Sequence, residues 1–119
     1  MKIERGDIFF ADLSPVFGAE MGGMRYVVVV QNNELNDEAS SNGGTVIVAP
    51  LSSNSTEFES QNAMATIPAD ILELPLFSYR FLLFGIRAID IKRVKEHIGC
   101  LNDETMAELD KKLKDALGL

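Results

Sequence analysis

A chain of 119 residues that is 46% hydrophobic and 24% charged holds enough apolar matter for a domain with its own core, which excludes a disordered tail and a chain dominated by lipid-facing segments. Its formal charge of -7 argues against a long footprint on a nucleic-acid duplex, since each phosphate contact calls for a Lys or Arg. With one cysteine, Cys100, and one histidine, His97, a disulfide framework and a zinc scaffold are out.

In chain order, Asp7–Leu13 is short, aromatic and β-branched and runs into Ser14-Pro15, the pattern of a strand entering a turn. Gly18, Gly22 and Gly23 make residues 14–24 a glycine-rich loop that ends directly on Arg25. Tyr26–Gln31 has the highest strand propensity in the chain and no polar alternation, which predicts a central strand buried on both faces. Residues 32–44 are polar and acidic, with Asn42-Gly43-Gly44 as a turn signal. Thr45–Ala49 predicts a second buried strand stopped by Pro50, with Ser52 and Ser53 just past its end. A Ser/Asn/Thr-rich loop leads to a strand at Ala63–Ile67, closed by Pro68. Strands at Phe81–Phe84 and Ile86–Asp90 flank Gly85, a bulge or a close approach of another backbone. Asn102, Asp103 and Glu104 then cap and charge the start of a helix whose apolar positions Met106, Leu109, Leu113, Ala116 and Leu117 follow helical spacing, with Gly118 beyond its end.

Five or more short strands and one terminal helix predict a mainly β domain spanning residues 1–119, built on a small, strongly bent antiparallel sheet or partial barrel. No stretch reaches the ~18 apolar residues of a membrane span, and the charged start Met1–Asp7 does not read as a signal peptide. A cytoplasmic protein with no membrane partner is expected.

Charge is unevenly spread. Residues 32–79 hold seven Asp/Glu and no Lys or Arg, so any basic site must be built from the two ends of the chain, with Arg25, Arg80, Arg87, Lys92, Arg93 and Lys95 as its candidate members. Each local feature also has a plain structural reading. Arg25 reads as the cap of a sheet edge, Ser52 and Ser53 as turn residues, and Phe17 as either a base-stacking platform or an anchor for its loop. His97 and Cys100 read as a core-edge pair, and the apolar stripe of the last helix as core packing.

The segments Arg5-Gly6-Asp7-Ile8, Ala11-Asp12-Leu13-Ser14-Pro15, Gly18-Ala19-Glu20-Met21-Gly22-Gly23-Met24-Arg25, Val28-Val29-Val30-Gln31-Asn32, Thr45-Val46-Ile47-Val48-Ala49-Pro50-Leu51-Ser52 and Ile86-Arg87-Ala88-Ile89-Asp90 together resemble the MazF/PemK-type toxin endoribonucleases over nearly the whole chain. The resemblance implies a PemK-like small SH3-like β-barrel with a C-terminal helix, assembled as a homodimer. It also implies metal-independent, sequence-selective cleavage of single-stranded RNA, with no cofactor, leaving 2',3'-cyclic phosphate and 5'-hydroxyl ends. The implied protein partner is an antitoxin whose disordered C-terminal arm covers the RNA channel, with operator DNA bound only through that complex.

Chemistry of this kind uses the RNA 2'-hydroxyl as nucleophile, so the protein must assist proton transfer and stabilise a phosphorane-like charge. A two-histidine mechanism is impossible within one chain whose single histidine lies just before the terminal helix. By resemblance Arg25 is the catalytic arginine, and a guanidinium fork suits a dianionic transition state. Ser52 stands where the family usually has threonine, and Glu20 matches a loop glutamate that is a candidate base or base contact. RNA contacts are expected from Phe17, Glu20, Gly22, Asn32, Ser53 and Arg87. Ala19, Met21, Phe84 and Gly85 stand where the family often has polar readers, and Tyr26 where it often has proline, which implies either a different cut-site word or feeble cleavage. Two other readings stay open: a CcdB-like toxin that poisons a protein target, and a catalytically degenerate barrel that only binds antitoxin or DNA.

Overall fold

The first hairpin is set by valines. In the computed structural model, which describes residues 1–15, 17–18, 22–52, 66–67 and 79–119, strand β1 (Asp7–Asp12) pairs antiparallel with β2 (Met24–Val29), Ile8 opposite Val28 and Ala11 opposite Arg25. Val27, Val28 and Val29 are fully buried, because β2 lies between β1 and β3 (Thr45–Ser52) with apolar matter on both faces. β4 (Thr66–Ile67), β5 (Tyr79–Phe81), β6 (Arg87–Asp90) and β7 (Val94–Cys100) complete a sheet in the order β4-β5-β3-β2-β1-β7, with β6 also paired to β3. Its mainly antiparallel β class with a C-terminal helix is the one expected. Among the described residues β6 and β7 do not pair with each other, so the bent ladder is not closed into a ring.

Four elements differ from the sequence expectation. Residues 33–42 form a helix, α1 (Asn33–Asn42), where only a polar stretch and a turn were expected. Its start is secured by Asn32, whose Oδ1 accepts from the Leu35 amide at 2.9 Å, and its end by Gly43. Just two of its side chains, Asn36 and Ala39, are buried, so no apolar stripe advertises it. Asn36 is satisfied by Gln31: its Nδ2 donates to the Gln31 carbonyl at 2.9 Å and its Oδ1 accepts from Gln31 Nε2 at 3.1 Å.

β3 does not stop at Pro50. It continues to Ser52, with Pro50 opposite Val27 and its carbonyl accepting from the Leu82 amide at 2.8 Å. That carbonyl points to the edge where β6, paired with Thr45–Val48, gives way to β5, paired with Leu51 and Ser52. The missing proline N–H therefore falls between two ladders and breaks neither. β7 carries too little hydrophobic alternation to be read as a strand, yet it pairs with β1 through register shifts on both sides of Phe9. His97 and Cys100 are exposed rather than tucked at a core edge; His97 packs edge-on to Phe9 at 5.0 Å and its Nε2 lies 3.4 Å from Asp7 Oδ1. The strand expected over Phe81–Phe84 keeps only Phe81, the end of β5, because at the Gly85 kink the chain makes a turn of 3-10 helix, Leu83–Gly85, before β6; of the strand expected over Ala63–Ile67, Thr66–Ile67 form β4 and residues 63–65 lie outside the described residues.

Two apolar clusters form, one on each face of β2. Phe9, Val27, Val29, Val46, Val48 and Ile89 fill one; Ile8, Val28, Leu51, Phe81, Leu83 and Leu109 fill the other. Leu109 comes from α2 (Asp103–Leu117), whose N-cap Asn102 Oδ1 accepts from the Thr105 amide at 2.8 Å and whose C-cap Gly118 is left-handed, as expected.

The Arg5-Gly6-Asp7 motif binds these parts together. Arg5 Nε donates to the Val30 carbonyl at 2.8 Å, its Nη2 meets Asp110 of α2 at 2.7 Å, and its amide reaches Asn33 of α1 at 2.7 Å. Gly6 has φ of 91° and exchanges backbone bonds with Val29 and Leu101; a Cβ there would meet Met106 Sδ at 3.0 Å. Gly6→Ala is therefore expected to destabilise the fold by about 1–3 kcal/mol, measurable by chemical denaturation. Asn32→Ala is expected to cost about 1 kcal/mol through the lost cap of α1, with a matching loss of helical circular dichroism.

Candidate functional site

The two residues expected to act together, Arg25 and Ser52, belong to the neighbouring strands β2 and β3. Their ladder runs Val29↔Val48, Val28↔Ala49, Val27↔Pro50. Arg25 on β2 and Ser52, the last residue of β3, each stand two residues beyond the last pair of that ladder, at the same end of it. On its other edge Ser52 is paired with Arg80 of β5. Arg25 is half-buried, and its Nε donates to the carbonyl of Gly22 at 3.0 Å. That bond fixes the plane of the guanidinium, whose terminal nitrogens are the donors a phosphate would take.

The mouth of the loop between β1 and β2 is stitched by backbone bonds. The Leu13 amide donates to the Gly23 carbonyl at 2.9 Å, and the Gly23 amide donates to Ser14 Oγ at 2.8 Å. Gly23 holds φ of 76°, a left-handed conformation that only glycine adopts without strain. Two arginines grip the opposite side of the same segment. Arg87, the first residue of β6, donates from Nη1 to the Leu13 carbonyl at 3.2 Å. Arg93 donates from Nη1 to the Asp12 carbonyl at 3.2 Å and to the Ser14 carbonyl. Three half-buried guanidinium groups thus gather at one end of the β1–β2 hairpin of an acidic chain.

The remaining sequence-expected residues divide. Phe17, within this loop, is 87% exposed. Gly22 belongs to the site through its carbonyl. Asn32 lies beyond the other end of β2 and its Oδ1 is engaged in the α1 cap, so the structure does not bring it to Arg25. Glu20 and Ser53, together with Ala19 and Met21, lie outside the described residues. Tyr26 packs against Phe10 with ring centres 5.1 Å apart. Of the other basic candidates, Lys95 bonds the Lys92 carbonyl at 3.0 Å, closing a local turn. The contact of Ser14 Oγ with the Gly23 amide, nine residues away in sequence, is one that local pattern could not reveal. Among the described residues no set of three His, Cys, Asp or Glu side chains is arranged to hold a metal ion, and no helix is long and apolar enough to cross a membrane.

Residues 4–117 match the family of PemK-like, MazF-like toxins of type II toxin-antitoxin systems. Among solved structures, MazF (Form-I) from Deinococcus radiodurans superposes with a TM-score of 0.80 at 22% identity, covering 100% of this chain and 99% of that one. A MazE-MazF complex (Form-III) from the same organism gives a TM-score of 0.74 at 22% identity, over 100% and 99% of the two chains. An endoribonuclease in complex with its cognate antitoxin, from a mycobacterial species, gives 0.69 at 19% identity, over 99% and 95%. At such identities the likeness is one of fold, and it extends from end to end.

Proposed function

Because the chain belongs to the PemK-like, MazF-like toxins of type II toxin-antitoxin systems, we propose that it is an endoribonuclease that cuts single-stranded RNA without a metal ion. The observation that supports this reading is that a guanidinium held by the Gly22 carbonyl and a hydroxyl-bearing residue, Ser52, each stand two residues beyond the same end of the β2–β3 ladder. In the reaction the 2'-hydroxyl oxygen attacks phosphorus, the bond to the 5'-oxygen breaks, and a 2',3'-cyclic phosphate and a 5'-hydroxyl result. Two protons must move: one leaves the 2'-oxygen and one arrives on the 5'-oxygen. Arg25 is assigned the charge that builds on the phosphorane oxygens and the protonation of the leaving oxygen, and Ser52 a hydrogen bond to a nonbridging oxygen. Glu20 is assigned the 2'-proton, since a guanidinium is a poor base.

Phe17, with its ring in solvent, supplies a platform for an unpaired base. Glu20, Gly22, Ser53 and Arg87 are proposed to line the strand of RNA, and Asn32 a more distant part of it. The working form is proposed to be a cytoplasmic homodimer, inhibited by an antitoxin whose extended arm competes with RNA for this channel, as coupled folding and binding allows. Contact with operator DNA is proposed to come only through that complex.

The test is a long mixed transcript incubated with the folded protein in EDTA, its fragments sequenced from their 5' ends. Cleavage within a recurring word and 5'-hydroxyl termini are expected. Arg25→Ala and Ser52→Ala are each expected to raise the barrier by about 3–4 kcal/mol, a rate loss of roughly 10²–10³-fold, while Ser52→Thr keeps the hydroxyl and most of the activity. Intact RNA over a broad panel, together with blocked DNA supercoiling, would instead identify a toxin that poisons a protein.

A further inference from the structure

We propose that Arg93 is a positioning residue for Arg25, acting through the backbone of Asp12–Ser14 and not through contact with RNA; this deepens the endoribonuclease reading above and rests on it. Arg93 closes the short 3-10 turn Ile91–Arg93 ahead of β7. Its Nη1 donates to the carbonyls on either side of Leu13, those of Asp12 and Ser14. Ser14 in turn receives the Gly23 amide on its hydroxyl, and Leu13 donates to the Gly23 carbonyl, so both backbone polar groups of Gly23 are held by the segment that Arg93 grips. The next carbonyl toward the loop, that of Gly22, takes Arg25 Nε. The contacts therefore run without a gap from one guanidinium to the other: Arg93, Ser14, Gly23, Gly22, Arg25.

The end of this chain that carries Arg93 is itself rigid. Asp90 Oδ1 caps the turn by accepting from the Lys92 amide at 2.8 Å, and the Ile91 amide donates to the Gly44 carbonyl at 2.9 Å. Val94, the next residue, pairs with Ala11, and Ala11 pairs with Arg25, so Arg93 directly precedes the row across β7, β1 and β2 to which Arg25 belongs. Both bonds leave one nitrogen, Nη1, so a lysine ammonium that reached the same point would keep part of the contact while losing the rigid guanidinium that aims it. Arg87 holds one carbonyl of the segment, Leu13, while Arg93 holds the residue that carries Gly23.

The prediction separates positioning from binding. Arg93→Met is expected to lower kcat about ten- to hundredfold, the effect of small misplacement of a catalytic group, with KM within about threefold of wild type. Arg93→Lys is expected to recover part of that loss. Hydrogen exchange of the Gly23 amide and the Arg25 Nε–H, followed by NMR without RNA, is expected to quicken in Arg93→Met and in Ser14→Ala. Combining the two substitutions is expected to cost little more than either alone, since both break the same chain of contacts. Unchanged kcat and unchanged Gly23 exchange in a folded Arg93→Met protein would overturn the proposal. So would a loss confined to RNA affinity with a salt dependence shallower by about one counterion, the mark of a direct phosphate contact. If Arg93→Met does not fold, Ser14→Ala must show the kcat loss and the faster exchange, or the proposal fails. A wild-type protein that cuts no RNA would remove the endoribonuclease reading; the exchange experiment would still decide whether Arg93 holds Gly23.

Discussion

The geometry of this domain depends on one pairing, the antiparallel register of β2 on β3. Val28 opposite Ala49 and Val29 opposite Val48 bury side chains into both apolar clusters, and a slip of one residue would exchange the two faces along the whole strand. Burial of valine therefore decides the register, and the register decides what stands at the ends of the two strands. The polar residues that carry the proposed chemistry take their places from apolar packing several residues away.

Arginine is used in two ways in a chain whose net charge is negative. Arg5, Arg87 and Arg93 give hydrogen bonds to backbone carbonyls at 2.8 Å, 3.2 Å and 3.2 Å, and Arg5 also pairs with Asp110 of α2. These are half-buried donors that satisfy carbonyls left over where the sheet bends and its strands change partners. Arg25 bonds the loop through Nε at 3.0 Å, so the loop that orients the guanidinium is the same loop that carries Phe17. Net charge is a poor guide here, because a site for one phosphodiester needs a few fixed cations at one place and not an excess over the surface.

The parts of the motif pattern that mark the family most clearly serve the scaffold. Gly6 is required by its φ of 91° and by Met106, while Arg5 joins α1, α2 and the end of β2. The Arg87 that opens the second motif holds the carbonyl of Leu13. Such residues are legible as a spacing, but their work is not, since each acts on a backbone group dozens of residues away. Helix α1 was hidden for a related reason. With Asn36 and Ala39 as its buried positions, it is held by the Gln31–Asn36 amide pair and the Asn32 cap, and polar contacts leave no periodicity to read.

Strands β1, β2 and most of β3, the terminal helix with both its caps, and the glycine loop ending on Arg25 were determined by the sequence alone. Each is set by local rules: valine and aromatic propensity, capping by Asn102, and the freedom of glycine to take positive φ. Tertiary structure alone decided that Pro50 could sit within a strand, that residues 94–100 would pair with β1 across register shifts, and that Arg93 would meet Asp12 and Ser14. The reason is physical. A missing N–H costs nothing only where neighbouring strands leave a gap, and a guanidinium finds its carbonyls only after the sheet has bent to bring them within reach.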